Sequence, residues 1–184
     1  MSMKGLVLFG DRFEDTELIA TVDVLIRHGE KITLASAMGR KEVHSKNGIA
    51  MQADVRIEEV DLDGFDFLFI PGGPGAFQIL SELPVVSETI SAFVNKNKTV
   101  ASICAAPMLV GRLGYLSEKN YTVHPGFEDR IQGGNYLRDQ GVVEDGTFIT
   151  AKSMYYSVDL GLQIVEHFYG KDERNRLLKS LKGE

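Results

Sequence analysis

Short apolar runs alternate with longer amphipathic stretches along most of this chain. The runs have four to six residues and are rich in Val, Ile and Phe, as in strands buried on both faces of a parallel sheet. We predict five core strands on this basis, at residues 5–9, 31–36, 66–70, 99–103 and 147–150.

The amphipathic stretches between these runs repeat apolar residues at helical spacing. Residues 15–28 place Leu18, Val22 and Leu25 on one face of a predicted helix. Further helices are predicted at residues 85–94, 105–113 and 156–168. Strands that alternate with helices of this length indicate parallel strands joined by crossover helices. The predicted fold is therefore α/β, a three-layer α/β/α sandwich with a mostly parallel central sheet.

Two further features complete the predicted architecture. Short strands at residues 43–44 and 49–51 flank Lys46, Asn47 and Gly48, a turn signal that predicts a small hairpin added to the sheet. The chain has no internal repeat, low-complexity tract or linker, and its 184 residues suffice for one sizeable core. We predict a single domain over residues 1–184.

Charge and the N-terminal segment restrict the class of protein. The net charge is −6, without a long basic run, so we expect no nucleic-acid partner. The first four residues lack the apolar stretch of a secretory signal, and no segment approaches the ~20 apolar residues that span a bilayer. We expect a soluble, cytoplasmic protein that does not bind membranes.

The single cysteine lies where a ligand site is expected. In an open parallel sheet, ligands bind beyond the carboxyl ends of the strands. Cys104 directly follows the strand at 99–103, and Ala105, Ala106 and Pro107 come next, as in a nucleophile elbow. Free N–H groups of the following helix are expected to lower the thiol pKa. The local sequence is also compatible with a small hydrophobe at a crowded junction.

Glu17 is the second candidate residue, near the start of the first helix. Acids there commonly complement the helix dipole, which explains Glu14 and Asp15. No basic residue stands at helical spacing from Glu17, whereas Asp23 has Arg27 at i+4 and is predicted to form a surface ion pair. A partly desolvated Glu17 would have a raised pKa suited to proton transfer.

Two more segments bear on the chemistry. Gln78 stands where a dinucleotide-binding loop would have its last glycine, so the Gly72–Gly75 loop weakly supports nucleotide binding. The N–H groups of Gly73 and Ala105 would instead form an oxyanion hole, although a plain tight turn explains the glycines equally well.

His124 is a candidate general base or thiolate partner, or a solvated loop residue. No histidine spacing predicts a metal site.

Four motifs taken together resemble the ThiJ/PfpI superfamily, in the branch that contains the Parkinson-disease protein deglycase and bacterial YajL. They are residues 101–107 (Ala-Ser-Ile-Cys-Ala-Ala-Pro), 70–73 (Ile-Pro-Gly-Gly), 13–17 (Phe-Glu-Asp-Thr-Glu) and 22–24 (Val-Asp-Val). Their order and spacing extend through nearly the whole chain, up to the helix around residues 160–165.

The resemblance implies a flavodoxin-like sandwich, usually a homodimer. It also implies a nucleophilic, oxidation-prone cysteine that is hydrogen-bonded to a protonated glutamate. By position these roles fall on Cys104 and Glu17, with the Gly73 and Ala105 amides as the oxyanion site and His124 nearby. The activities implied are cofactor-independent conversion of methylglyoxal or glyoxal to the hydroxy acid, and repair of early glycation adducts on proteins.

The chain departs from the family at three places. Ala105 stands where the protease-like branch has a histidine, so a peptidase triad of that kind is not available. Residues 153–156 read Ser-Met-Tyr-Tyr in place of a Gly-Pro-Gly segment, and we expect these bulkier residues to narrow the pocket or alter a dimer contact. Arg27 matches a basic position of the family's dimer surface, but its basic companion, near Lys46 or Asn47, is not clearly kept.

Two alternative hypotheses remain at this point. In one, the protein is an oxidative-stress sensor or chaperone whose Cys104 is oxidised to the sulfinic acid without turnover. In the other, Cys104 and His124 carry out amidotransferase-like or peptidase-like hydrolysis, which requires the two side chains to lie within hydrogen-bond reach.

Overall fold

The computed structural model describes residues 2–184; Met1, part of the N-terminal segment considered above, lies outside the described residues. The strands are β1 (Lys4–Phe9), β2 (Lys31–Ser36), β3 (Glu42–His44), β4 (Ala50–Gln52), β5 (Val55–Arg56), β6 (Phe67–Ile70), β7 (Thr99–Ile103), β8 (Asn120–Tyr121), β9 (Asn135–Tyr136), β10 (Val142–Asp145) and β11 (Phe148–Ala151). The helices are α1 (Asp15–His28), α2 (Pro74–Gln78), α3 (Pro84–Asn95), α4 (Pro107–Gly111), α5 (Ser157–Tyr169) and α6 (Lys171–Lys182). Over residues 2–184, none of the helices has the length and apolar character needed to cross a membrane.

Seven strands form the central sheet, in the order β10-β11-β7-β6-β1-β2-β5. Neighbouring strands are parallel except β10 and β11, which make an antiparallel edge. Strands β6 and β7 are buried along their whole length, and β1 is exposed only at Lys4, because helices cover both faces of the sheet. The predicted α/β class and mostly parallel sheet are confirmed.

The side chains of the sheet alternate between two separate cores. Along β1, Leu6 and Leu8 belong to the core covered by α3 and α4, whereas Val7 and Phe9 belong to the core covered by α1 and α5. Each large apolar side chain buried in this way contributes about 1.5–3 kcal/mol. The result is the predicted three-layer sandwich, with α6 packed outside α5.

The predicted elements match the observed ones closely at the sheet. All five predicted strands agree with observed strands to within one residue at each end, and α1 has the predicted bounds because Gly29, at φ +108°, ends it. The helix predicted over residues 105–113 is shorter. Ala105 and Ala106 turn the chain out of β7, and Gly114, at φ +84°, turns it again soon after α4.

The predicted hairpin forms from β3 and β4, with Gly48 at φ +81° in its turn. It makes a two-stranded sheet of its own beside the central sheet. A β-bridge joins Phe13 to Ser45, and the Lys46 N–H donates to the Phe13 carbonyl at 2.9 Å. These bonds hold Lys46 next to the loop that follows β1.

Candidate active site around Cys104

Three loops meet at the carboxyl edge of the sheet, after β1, β6 and β7. The Glu14 N–H donates to the Gly72 carbonyl at 3.1 Å, and the Gly75 N–H donates to the Arg12 carbonyl at 3.1 Å. A Cβ on Gly75 would lie 2.0 Å from the Asp11 carbonyl oxygen. The glycine-rich loop after β6 therefore packs against the loop after β1 at a distance that only glycine permits.

Cys104 occupies a strained turn between β7 and the short α4. Its φ is +63°, a left-handed conformation that costs a residue with a side chain of the order of 1 kcal/mol. The Cys104 N–H donates to the Ala151 carbonyl at 2.9 Å, and its carbonyl accepts from the His124 N–H at 2.8 Å. These two backbone bonds hold the turn, which directs a partly buried thiol toward the loops after β1 and β6.

Glu17 reaches the same point from the first turn of α1. Its side chain is buried, with the residue 1% exposed, and Oε2 accepts from the Gly72 N–H at 2.8 Å. The carboxyl group also shares a hydrogen bond with the Cys104 thiol. The structure thus brings together the two residues that the sequence singled out, across 87 positions of the chain.

Burial is the main influence on ionisation of this pair. Burial raises the pKa of Glu17 to about 7, and the neighbouring Glu14 carboxylate adds to the increase. Hydrogen bonds from Cys104 and Gly72 and the charge of Lys46 oppose it. An acid with this pKa can both take up and release a proton at neutral pH.

Burial also raises the pKa of Cys104 to about 12, with the Glu17 carboxylate as the next cause. The N–H groups of Gly73 and Ala105 point to the sulfur and act in the opposite direction. The amides lower the thiol pKa, as predicted, but burial and the nearby carboxylate outweigh them, so the net shift of the pKa is upward. Above pH 7 the pair holds one proton, which either the sulfur or the carboxyl group can carry.

The Gly73 and Ala105 amides converge on the Cys104 sulfur. Gly73 has φ +94° and ψ 174°, a conformation open only to glycine, and a Cβ there would lie 2.6 Å from the Glu14 nitrogen. Both amides therefore donate toward Cys104, and their role as an oxyanion hole stays a prediction.

His124 lines the same pocket but does not engage the thiol through its ring. Its Nδ1 faces the Pro125 carbonyl at 3.1 Å, and its ring meets the Phe127 ring edge-on at 6.2 Å. Within residues 2–184, no hydrogen bond joins the His124 ring to Cys104. The structure therefore does not place the two side chains as the amidotransferase-like hypothesis requires.

The pocket in front of Cys104 has a volume of about 260 Å³, just below the roughly 300–1,000 Å³ typical of small-molecule sites. The sequence did not reveal several of its walls: an ion pair between Glu14 and Lys46, and the side chains of Phe77 and Phe127. Ser153 and Met154, from the segment expected to narrow the pocket, also line it. Glu14, interpreted above as a complement to the helix dipole, is the partner of Lys46 here. The predicted Asp23–Arg27 surface pair is confirmed at 2.7 Å.

Across the described residues, no three histidine, cysteine, aspartate or glutamate side chains are grouped so that they could hold a metal ion. The histidines predicted to be structural are accounted for in part: His28 bonds Glu30 and Glu173, and His167 bonds Thr99 and Glu144.

The fold and the Cys104–Glu17 pair define a flavodoxin-like α/β protein with a buried cysteine–glutamate site at the carboxyl edge of its sheet. Residues 3–167 match the DJ-1/PfpI family, and the chain belongs to that family. The resemblance found in the sequence is thereby confirmed.

The relatives cover almost the full length of the chain. It is 30% identical over 182 residues to protein dj-1beta of Drosophila melanogaster, covering 98% of this chain and 97% of that protein. It is 33% identical over 169 residues to the glutathione-independent glyoxalase DJR-1.2 of Caenorhabditis elegans, covering 91% and 89%. The crystal structure of Drosophila DJ-1beta aligns with a TM-score of 0.91 at 30% identity, covering 98% of each chain.

Proposed function

We propose that this protein is a cofactor-independent glyoxalase that converts a 2-oxoaldehyde into the 2-hydroxy acid, with Cys104 as the nucleophile. The observation that carries the proposal is the buried Glu17 carboxyl group hydrogen-bonded to the Cys104 thiol, with a pKa raised to about 7. The relative named as a glutathione-independent glyoxalase supports the same reaction class.

The first step is attack of sulfur on the aldehyde carbon. The proton shared by the pair moves to Glu17 as the C–S bond forms, and the carbonyl oxygen becomes an oxyanion. The Gly73 and Ala105 amides, which donate to the sulfur in the free protein, then donate to that oxygen. The product of this step is a hemithioacetal, with its oxygen protonated by Glu17.

The second step moves a hydrogen between the two carbons. Glu17, again a carboxylate, removes the proton from the former aldehyde carbon and gives an enediolate. It then returns this proton to the adjacent carbon, while the hydroxyl proton of the hemithioacetal passes to the second oxygen. The result is a thioester of the 2-hydroxy acid. Water hydrolyses this thioester and restores the thiol, so the net reaction adds one water and needs no external oxidant or reductant.

Lactate formation from methylglyoxal tests the proposal. The purified, reduced protein is assayed without glutathione or added metal, beside Cys104→Ala and beside Ser153→Ala, a pocket-lining change that leaves Cys104 and Glu17 intact. We expect turnover in the wild type and in Ser153→Ala and none in Cys104→Ala. Turnover that persists in Cys104→Ala, or a wild type without turnover, contradicts the proposal.

The same chemistry extends to early glycation adducts on proteins, in which the aldehyde carbon is bound to an amine. A peptide modified with methylglyoxal is incubated with the protein in the presence of a thiol that traps free methylglyoxal. Release of the unmodified peptide that depends on Cys104 supports deglycase activity. Release that the trapping thiol reproduces alone contradicts it.

A redox sensor is the second candidate, favoured by the three hydrogen-bonding groups that converge on the sulfur: Glu17 and the amides of Gly73 and Ala105. These groups would hold the oxygens of a sulfinate. Intact mass after mild peroxide treatment tests it, with two oxygens added at Cys104 as the expected result. Lactate production by the reduced protein would argue against a purely sensory role.

We also propose that the protein forms a homodimer through the exposed face of α1 and the hairpin. Ile19, Ile26 and Ile49 are exposed there. Ile19 and Ile26 line a shallow groove together with Val22 and Met51. Light scattering after size exclusion should report a dimer that Ile26→Asp splits and Glu88→Lys, on the opposite layer, does not. A wild-type monomer contradicts this proposal.

The cytoplasm is the proposed compartment, because a lone cysteine without a disulfide partner stays reduced there. The partners we propose are therefore small reactive aldehydes or glycated proteins of that compartment. Fractionation of cells that express the full chain, with detection by an antibody, tests the location.

A further inference from the structure

The pocket in front of Cys104 contains apolar side chains that no step of the proposed reaction uses. Phe77 comes from α2, Phe127 from the loop after His124, and Met154 from the turn that precedes α5. A two-carbon dicarbonyl group needs only the sulfur, the Glu17 carboxyl group and the two amides. These three side chains are therefore available to contact the part of the substrate that does not react.

The two rings form a fixed wall. Their centroids lie 4.9 Å apart at an interplanar angle of 51°. The Arg130 guanidinium group lies 5.8 Å from the Phe77 ring centroid and 5.4 Å from that of Phe127, and its Nη1 also contacts the Met108 sulfur at 3.9 Å. Because the cation holds both rings at once, the pair is organised before a ligand arrives.

Met154 supplies an adaptable surface in the same pocket. Its carbonyl accepts from the Ser157 hydroxyl at 2.6 Å, which fixes the backbone of the turn. Its side chain is unbranched and the residue is 47% exposed. A thioether of this kind shifts to fit irregular apolar groups and makes favourable contacts with aromatic rings.

The volume of the pocket agrees with a substituent of the size of a ring. A dry apolar cavity of roughly 150 Å³ is large enough to bind benzene. The pocket here measures about 260 Å³, which leaves room for a dicarbonyl group beside one such ring. Methylglyoxal, with a single methyl group, would leave much of this apolar surface in contact with water.

We propose that the preferred substrates are 2-oxoaldehydes with an aryl or similarly bulky apolar substituent, and that Met154 is the residue that sets this preference. The proposal rests on the proposed glyoxalase function for the reacting groups. Phe77 and Phe127 supply the rigid wall against which the substituent packs, and Met154 closes over it.

Alkylation of Cys104 tests whether the pocket recognises an aryl ring, and it does not require turnover. Because the chain has one cysteine, intact mass reports this alkylation unambiguously. The rate of alkylation is measured with iodoacetamide and with N-phenyliodoacetamide. Each rate is divided by the rate of the same reagent with a small free thiol, which corrects for the intrinsic reactivity of the reagent. We expect the wild type to favour the phenyl reagent about 10-fold and Met154→Ala to lose most of that preference. Met154→Leu, which restores apolar volume, and Tyr155→Ala, an exposed neighbour outside the pocket, should both retain it.

Initial rates of hydroxy-acid formation from phenylglyoxal and methylglyoxal then test the substrate class, before arginine modification by phenylglyoxal accumulates. The wild type should show a kcat/KM about 10-fold higher for phenylglyoxal, and Met154→Ala should lose this through KM with kcat little changed. The role of Met154 is overturned if Met154→Ala keeps the wild-type ratio of the two alkylation rates, or the wild-type ratio of kcat/KM for the two aldehydes. A phenyl preference in alkylation without turnover of either aldehyde overturns the glyoxalase function, and the oxoaldehyde assignment with it, while the ring-binding role of Met154 stands.

Discussion

The Cys104 side chain and the Glu17 carboxyl group meet across Gly72. A Cβ placed on Gly72 would lie 2.7 Å from the Cys104 Cβ and 2.8 Å from the Glu17 Oε2, as well as 2.6 Å from the Ile103 carbonyl oxygen. Two of these three contacts are with the reacting residues themselves. The pair can exchange a proton because position 72 has no side chain.

Gly72→Ala should therefore uncouple the pair. Its backbone conformation suits alanine, so the added methyl group acts by displacing Cys104 and Glu17, and a misplacement of about 1 Å costs on the order of 100-fold in rate. Lactate formation measures the loss, and circular dichroism measures whether the fold is kept. Gly64→Ala is the matched control, because a Cβ there meets open space at a normal φ. Full activity in Gly72→Ala contradicts the arrangement.

The raised pKa of Glu17 makes the stability of the fold depend on pH. The unfolded carboxyl group releases its proton near its usual value of 4.5, while the folded one keeps it to about 7. Between these values the folded state holds more protons than the unfolded state, so stability falls as the pH rises, by about 3 kcal/mol from this group.

Glu17→Gln isolates this contribution, because glutamine does not titrate. The free energy of unfolding is measured in urea at pH 4.5 and pH 7 for the wild type and the variant. The variant should gain about 3 kcal/mol relative to the wild type between the two pH values, while the titration of other groups cancels in the difference. A difference that does not change with pH would show that Glu17 has an ordinary pKa.

His28 joins the end of α1 to the start of α6. Its Nδ1 lies 2.6 Å from Glu30 Oε1 and its Nε2 lies 2.9 Å from Glu173 Oε1, and the His28 and Glu30 side chains are 6% and 2% exposed. His28→Leu removes one of the hydrogen-bond partners of the buried Glu30 carboxyl group and should lower the free energy of unfolding by about 2 kcal/mol. His44→Leu, on an exposed imidazole, should change it by less than about 0.5 kcal/mol. Equal effects in urea unfolding contradict this account.

The sheet could be predicted from the sequence because strands buried on both faces leave unbroken apolar runs, as in β6. Helix α6 was not predicted: it is strongly polar, and within it only Leu177 is fully buried. Its position depends on packing against α5, and the short edge strands β5, β8 and β9 also depend on tertiary neighbours. Local pattern gives little indication of such elements.

The candidate site was predictable only where a residue carries a local sequence signal. Cys104 and Glu17 carry local signals, namely a strand-to-helix turn with small residues and an acid without a basic neighbour on its helix. The Glu14–Lys46 pair and the Phe77–Phe127 wall join residues 32 and 50 positions apart, and no spacing rule connects them. The direction of the thiol pKa was missed because the sequence displays the amides near Cys104 but not its burial.

Glu17→Gln should separate thiol reactivity from turnover. Removing the carboxylate charge lowers the pKa of Cys104, because that charge is one of the causes that raise it. The lower pKa increases the thiolate fraction at pH 8, but a less basic thiolate is also a weaker nucleophile, so alkylation by iodoacetamide should accelerate about 3- to 30-fold. Lactate formation should fall by about 100-fold or more, since glutamine cannot carry a proton between the two carbons. Asp23→Asn, an exposed acid on the same helix, should leave both rates unchanged. If alkylation and turnover move in the same direction in Glu17→Gln, the carboxyl group serves the thiol alone and the proton transfer between carbons belongs to another residue.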